Sequence, residues 1–574
     1  MNKIVVGIDF GTSGIGYAYG FSDNIDKIFL SNLPSQKADN KVPTEIILDN
    51  NMDHILAFGN ECKGYIITHD KDNYEYFKNI KMNLYHKIYK IKSTNGKEVD
   101  IDKIIYKILE KISDSAVAQI KSSSNIEIQK KDIKWVVTIP AIWEEKSKQI
   151  MIESSIKAGL IDKDSDKSMF LALEPEVAGI YYYTISQSVE SYKNDNIMQG
   201  KPYIICDIGA GTVDICTHRK LIEKDKISEL IEEYPPIGGD YGGNKINEEF
   251  IKRLIVKIFG EEKVRKLQTN SIDEDWDKFE KDIEERKRAC YNNEPSYLVL
   301  DCEIFNDELI EKSLDEYIAD YDKKEHKYKI QKKRKWKLEF STQIFIDIAK
   351  ELAENIFLKI EEICKHVDTK DILMTGAGSN NTLIATYLKE FCKIKNIDLT
   401  FTNPPQPEIA IIKGSVLFGF QKNIIRRRKA RYTLGIQKAC PWKEEFEGKG
   451  IKIKSENNNK FYCNNLFMKF ITINQNIEYD KKISHILKST NSTPDIIIYK
   501  TNKEDCTYID EKDENDKNKE VLERLGNIKF NIGNDFDIKY PGVQIDMMMG
   551  GTFIDVTATY LKNGKKLNVT QNFY

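Results

Sequence analysis

The sequence has no long apolar run, no paired cysteines and almost no excess charge of either sign. No stretch is long enough to span a bilayer. The apolar run in MNKIVVGIDFG meets Asp9 before it could form the core of a secretory signal. The 10 cysteines run from Cys62 to Cys506 without a C-x-x-C spacing, which speaks against a cysteine zinc site or a disulfide framework and for reduced, packed thiols. With 87 basic and 90 acidic residues the formal charge is −3, so the whole molecule has no electrostatic bias toward nucleic acid or anionic membrane. A G-x-x-x-x-G-K-[ST] loop is missing, as are serine-hydrolase and zinc-protease motifs, which disfavours those three enzyme classes. The expectation is a soluble, cytoplasmic protein, with the nucleus not excluded, without membrane insertion and without a nucleic-acid role.

What is present is a multidomain globular composition, 574 residues with 40% hydrophobic and 31% charged content. Over residues 1–425, β-rich runs such as IVVGIDF, IKWVVTIP, PYIICDIG and DILMTGAG alternate with helical patterns such as DKIIYKILEKISDSAVAQI and TQIFIDIAKELAENIFLKIEEI, which predicts an α/β fold. That length suits two lobes, about 1–202 and about 203–425. After Arg426-Arg427-Arg428-Lys429 the helical signal fades, and residues 430–574 read as a β-rich module. Near the end, Ile554, Val556, Ala558 and Tyr560 alternate with polar residues, and Asn563-Gly564 predicts a two-residue hairpin turn.

The most informative feature is a repeat. IVVGIDFGTSGIGYAYG at residues 4–20 has a counterpart in YIICDIGAGTVDICTHR at residues 203–219: apolar strand, acid, glycine, threonine, second strand. Glycine lets backbone N–H groups approach phosphate oxygens, threonine adds a hydroxyl donor, and an aspartate at a strand end can orient the water shell of Mg²⁺. One copy alone reads equally well as an ordinary hairpin; two copies favour a clamp around a triphosphate. A third glycine site, Thr375-Gly376-Ala377-Gly378-Ser379, follows the strand pattern of residues 371–374 and precedes the helical run TLIATYLKEFC, so a helix N-terminus could face phosphate or ribose. A plain structural turn is the alternative there.

Several motifs then occur in one order: Val136-Val137-Thr138-Ile139-Pro140-Ala141, Leu173-Glu174-Pro175-Glu176-Val177-Ala178-Gly179, the second hairpin, Gly242-Gly243, Glu284 through Lys287-Arg288, Gly376-x-Gly378 and Pro407-Glu408-Ile409-Ala410. In this the chain resembles the ATPase domain of the heat-shock 70 kDa chaperone family, within the actin-like ATPase superfamily. Lys81-Met82-Asn83-Leu84-Tyr85 and Arg431-Tyr432-Thr433-Leu434-Gly435-Ile436 look most like the divergent branch called heat shock 70 kDa protein 12A and 12B. The resemblance implies a duplicated ribonuclease-H-like fold of two lobes that binds ATP or ADP with Mg²⁺. It is followed by a β-rich substrate-binding-like domain that meets other proteins.

Carried over by position, Asp9 and Asp207 would hold Mg²⁺ through water, with Gly11, Thr12, Ser13, Gly209 and Gly211 around the phosphates. The resemblance assigns Lys81, Glu174, Asp207 and Thr212 to the attacking water and γ-phosphate, and Asp214 to support of the second hairpin. Gly242, Gly243, Glu284, Lys287, Arg288, Gly376, Gly378 and Ser379 would complete the nucleotide contacts. Lys81 could instead be a solvated helix lysine, and Glu174 a surface cap. Gly14 stands where the family usually has an aromatic residue and Asn381 where it has an adenine-stacking arginine. Residues 423–429 replace the usual acidic, leucine-rich linker, and no sequence remains for a long helical lid or an acidic tail.

Other segments invite plainer readings. Residues 323–337, with Tyr328 and Trp336 among lysines, could be a nuclear-import or nucleic-acid patch but read better as an edge hairpin whose lysines oppose aggregation. Residues 510–520 form a charged loop. Asn380 and Asn491 match glycosylation acceptors, yet a glycan on Asn380 would fill the expected cleft. Three functions compete: a chaperone-like ATPase, a nucleotide-binding scaffold or sensor with little hydrolysis, and a small-molecule kinase of the same superfamily, with turnover itself left open.

Overall fold

The computed structural model describes residues 4–569 apart from 35–39, 162–168, 189–195, 222–228, 271–272, 291–293, 301–311, 325–326, 335–336, 380–381, 422, 455–458, 490, 513–519 and 550–553. Trp336, Asn380 and Asn381 therefore lie outside the described residues, as do Tyr574 and most of the charged loop expected at residues 510–520.

The chain is a mixed α/β protein built from several sheets. Two sheets share one strand order. The first runs Met169–Leu173, Ile133–Ile139, Ile4–Phe10, Ile15–Phe21, Asn24–Leu30, and the second begins Thr400–Thr402, Asp371–Thr375, Tyr203–Ile208, Val213–Lys220, Leu230–Glu232. In both, the middle strand pairs in parallel on one side and in antiparallel on the other. The middle strands IVVGIDF and YIICDI are buried throughout, as expected of strands covered on both faces.

Helix Ile101–Ser124 packs on the first sheet because Ile101, Ile104, Ile105, Ile108, Leu109 and Ile112 repeat at helical spacing along one face. Helix Gln343–Cys364 does the same in the second core through Ile344, Phe345, Ile348, Leu352, Ile356 and Ile360. Each fully buried isoleucine contributes about 1.5–3 kcal/mol. Between the two sheets, helices Glu174–Ser188 and Ala410–Phe420 share a third core with Val5 and Val136 of the first sheet and Leu230 and Ile425 of the second.

Residues 423–429, expected as a linker, are instead largely built into the second sheet. Ile425–Lys429 is a strand that pairs in parallel with Leu230–Glu232 and in antiparallel with Asn476–Glu478. Among the described residues beyond 430 there are strands and short 3-10 turns; apart from Asn476–Glu478, which joins the second sheet, the strands form two sheets of five and four. Their facing side chains, Leu434, Ile436, Ile498 and Ile528 from one and Val543, Ile545, Val556 and Tyr560 from the other, form one core.

The hairpin after Asp555–Tyr560 differs from the two-residue turn expected at Asn563-Gly564. Tyr560 N donates to Lys565 O at 2.8 Å and Gly564 N to Tyr560 O at 2.9 Å, so residues 561–564 form the connection. A two-residue turn of that kind needs left-handed φ at both positions, whereas Gly564 has it (φ 73°) and Asn563 does not. The basic run does form an edge: Ile330–Arg334 is the outer strand of a three-stranded sheet, with Tyr328 and Ile330 buried.

Candidate functional site

The two glycine-rich turns are superposable in plan. Phe10 faces Ile15 across residues 11–14, and Ile208 faces Val213 across residues 209–212, with Asp9 and Asp207 one residue before each turn-closing position. The turns face each other closely: a Cβ on Gly211 would lie 2.7 Å from Thr12 Oγ1 and 2.3 Å from the Met82 sulfur. Gly11 and Thr12 are half-buried and Ser13 is exposed at the tip. Thr44 Oγ1 donates to Gly11 O at 2.7 Å.

The second turn is held from two directions. The amides of Gly242, Gly243 and Asn244 donate to the carbonyls of Gly211, Gly209 and Ala210 at 3.1, 3.1 and 2.8 Å. Gly378 N donates to Ile208 O at 2.9 Å, and Ser379 Oγ to Gly376 O at 2.8 Å. Gly376 has φ 82° and approaches so closely that a Cβ would sit 2.3 Å from Asp207 Oδ1; no other residue meets both demands.

Four carboxylates are buried around these turns: Asp9, Glu174, Asp207 and Asp214. Lys81, 4% exposed on the short helix Ile80–Tyr85, donates to Glu174 Oε1. This removes the solvated-lysine alternative for Lys81, and burial removes the surface-cap alternative for Glu174. Asp9 accepts from Thr138 Oγ1 at 3.3 Å and its Oδ2 lies 2.5 Å from Lys41 Nζ. Asp214 accepts from Thr212 Oγ1 at 2.8 Å and from Ile142 N at 3.0 Å. Asp207 Oδ1 has no hydrogen-bond partner among the described residues.

Burial pushes the Glu174 carboxyl up to about 7 against the opposing pull of Lys81. Burial, then Glu174, Asp214 and Asp9, drive Asp207 well above the carboxylate range. Burial also raises Asp214, with Thr212 and Ile142 working the other way. Were all four acids ionised they would outweigh the two lysines by the charge of one divalent cation. Without such an ion the cluster disfavours the charged forms, which is why burial raises Asp207, Glu174 and Asp214, with mutual repulsion adding to it at the first two. The donor set, all oxygen and acidic, suits a hard cation such as Mg²⁺ better than a soft one.

The other expected residues fall into two groups at the second turn. Lys287 Nζ donates to Gly243 O at 2.9 Å. It also lies 2.5 Å from Glu284, which further accepts from Asn247 at 2.8 Å and Arg288 Nε at 2.7 Å. Burial works to raise Glu284, but Lys287, Arg288 and Asn247 bring it down to about 2. Gly376, Gly378 and Ser379 meet the turn through Ile208 and Asp207 instead.

Sequence reasoning did not single out Lys41, or the ion pair of Lys78 with Asp277 at 2.5 Å that joins the segment before Lys81 to the helix Asp273–Arg288. It also left unpaired two residues in motifs it had quoted. Arg428 of the junction strand grips Glu176 with both ends of its guanidinium, Nε to Oε1 at 2.8 Å and Nη2 to Oε2 at 2.7 Å, fully inside the molecule. Beside them Glu232 accepts from Lys429 N at 2.8 Å and is pushed up to about 7, chiefly by burial. His218, with neither ring nitrogen hydrogen-bonded among the described residues, is pushed down to about 4 by burial.

No helix among the described residues is long and apolar enough to cross a membrane. No family model matches the chain. It is 23% identical to heat shock 70 kDa protein 12A of mouse and of human, over 99% of this chain and 91% of each relative. It is 21% identical to human heat shock 70 kDa protein 12B, over 84% of this chain and 77% of that protein. The resemblance to the heat shock 70 kDa protein 12A and 12B branch, first carried by short motifs, therefore runs along almost the whole chain.

Proposed function

We propose that the protein binds ATP and ADP with Mg²⁺ between the lobes of an actin-like, duplicated ribonuclease-H-like ATPase fold, and that nucleotide state modulates how a β-rich domain at residues 430–574 meets other proteins. Residues 1–202 and 203–425 are the two lobes. The observation that carries this reading is the convergence of Asp9, Asp207, Asp214, Glu174 and Lys81 between two glycine turns set in sheets of one strand order.

Asp9 and Asp207 are the residues that would hold Mg²⁺ through its water shell, where the ion supplies neutralisation of phosphate charge. Backbone amides of the two turns, with Thr12 and Ser13, are the donors for phosphate oxygens. Lys81 presents an ammonium beside Glu174, and Thr212 is already oriented by Asp214, so these groups are placed to order a water for attack at phosphorus. Glu284, Lys287 and Arg288, with Gly376, Gly378 and Ser379, would take the nucleoside.

The route to the β-rich domain runs through the helix Glu174–Ser188. Its first turn carries Glu174 on the acid cluster and Glu176 on Arg428 of the junction strand, so a shift at one is felt at the other. A second reading, a nucleotide-binding scaffold with little hydrolysis, is favoured by Arg288 being tied to Glu284 rather than left to stack on a base.

Isothermal calorimetry and phosphate release on wild type, Asp207→Asn and Thr212→Ala separate these readings. Wild type is expected to bind ATP with Mg²⁺ and turn it over, Asp207→Asn to lose at least tenfold in Mg²⁺-dependent affinity, which is about 1.4 kcal/mol, and Thr212→Ala to lose turnover with smaller loss of binding. Binding without turnover selects the scaffold. Equal binding and turnover in all three proteins defeats the site assignment.

A further inference from the structure

We propose that Cys440 and Cys463 are a dithiol site that a small-molecule disulfide, such as oxidised glutathione, converts to a cross-strand disulfide in the β-rich part of the molecule. Cys440 lies on the strand Thr433–Pro441 and Cys463 on Phe461–Ile471, and the two are direct partners in the antiparallel ladder. Ladder partners point to the same face and hold their Cα atoms about 4.5–5.5 Å apart. That is inside the window of about 4.4–6.8 Å that a disulfide spans. A register shift between Lys438 and Cys440 gives the pair local freedom to adjust.

The contrast with Cys206 and Cys216 shows what register does. They also sit on adjacent strands, but Cys206 pairs with Ile215 and Cys216 with Ile205, which puts the two thiols on opposite faces.

The surroundings order the reaction. Cys440 is partly exposed, and its Sγ donates to Pro441 O at 3.5 Å; Cys463 is fully buried, and its Sγ donates to Asn465 Oδ1 at 3.3 Å. Both belong to one small cluster with Trp442, Phe446, Leu466 and Tyr508. An oxidant in solution therefore meets Cys440, while Cys463 is shielded from solvent and has Cys440 as its ladder partner. The Cys440 thiolate attacks one sulfur of the oxidant, forming a mixed disulfide and releasing one small thiol. The Cys463 thiolate then attacks the Cys440 sulfur and releases the second small thiol. Two electrons pass from the protein to the oxidant, and the two protein thiol protons end on the released thiols. Burial, then the neighbouring Cys463, raise the Cys440 thiol above its usual range, with Lys438 and Lys443 opposing. The first step is therefore limited by thiolate and speeds up as pH rises.

The bridge would tie down the ends of residues 441–462, which include the exposed edge strand Lys452–Lys454 and the exposed Ile451, Ile453 and Phe461.

Peptide mapping by mass spectrometry tests this on the full chain, oxidised natively with glutathione disulfide at pH 7 and pH 8.5 and alkylated without reduction. Expected are a bridged Cys440–Cys463 peptide pair, formed several-fold faster at pH 8.5 and reversed by dithiothreitol, and a lasting glutathione adduct on Cys440 in Cys463→Ser. Bridges between other cysteines in its place, Cys364 with Cys392 above all, overturn the proposal. So does a Cys440 adduct in wild type as persistent as in the variant. Cys440→Ser, at the partly exposed position, serves if Cys463→Ser does not fold: Cys463 should stay unmodified, and a glutathione adduct on it overturns the assigned order.

Discussion

The two sheets have one strand order but different interiors. In the first, the strand after the glycine turn, IGYAYGF, buries Tyr17, Ala18 and Tyr19. In the second, the equivalent strand VDICTHRK buries Asp214, Thr217 and His218, and its neighbours add Glu176, Glu232 and Arg428. The acids at the turns differ in the same sense: Asp9 has Lys41 beside it, whereas Asp207 Oδ1 has no hydrogen bond among the described residues. One strand order thus carries an apolar wall in the first sheet and a buried polar cluster in the second. Backbone topology is set by strand patterning, which tolerates this divergence, while function depends on which few inward positions carry charge.

Six substitutions would break or sharpen that contrast. Arg428→Ala strands Glu176 in the interior and is expected to cost about 3–5 kcal/mol in urea unfolding; an exposed ion pair such as Lys443 with Glu445 should give under about 1 kcal/mol when cut. Gly376→Ala puts a Cβ against Asp207 at a left-handed φ, for an expected loss of about 2–4 kcal/mol. Gly14→Ala in the first turn meets only ordinary contacts at 3.4 Å from Lys41 and Val42, and should change the unfolding midpoint little.

Glu232→Gln tests the polar interior by pH. Because the native carboxyl is raised from 4.5 to about 7, the folded state binds more protons than the unfolded state across that interval, so this group's contribution falls as pH rises through it. The variant should match wild type near pH 4.5 and be more stable by about 2–3 kcal/mol at pH 8; equal stability at both pH values would show that Arg428 and Arg431 already compensate the charge. The paired acids, measured without nucleotide or Mg²⁺, should shift stability by about 1–2 kcal/mol in opposite directions. Asp207→Asn replaces a carboxyl whose ionisation burial and three neighbouring acids oppose, and should raise the thermal midpoint, whereas Asp9→Asn deprives Lys41 of its carboxylate and should lower it.

The parts legible in the sequence were those written in contiguous residues. The apolar runs IVVGIDF and YIICDI announce buried strands, the spacing within residues 101–124 announces its helix, and the glycine turns announce themselves twice. Lys81 and Glu174 were found through motif order, and the structure pairs them. Lys41 and Arg428 were not recognised because their partners, Asp9 and Glu176, lie far away in sequence and nothing local marks a lysine or arginine that will be buried. Residues 423–429 stand where the family resemblance places the linker, and nothing local in the arginine run marks Arg428 as the one that Glu176 receives inside the molecule. The turn at Asn563-Gly564 was expected to be shorter because the dipeptide fixes a preference and not the φ of Asn563.

The junction strand has a practical consequence for dividing the molecule. Ile425–Lys429 is hydrogen-bonded on one side to Leu230–Glu232 and on the other to Asn476–Glu478, so a cut made near residue 430 would fall in the middle of a continuous ladder. A protein shortened to residues 1–421 would keep both glycine turns but present a raw, unpaired strand edge and a buried Glu176 without its arginine. Such a fragment should self-associate through that edge, and a cut beyond Tyr479 does no better, because it parts the strand Thr433–Pro441 from its ladder partner Asp495–Thr501 and opens the core they share.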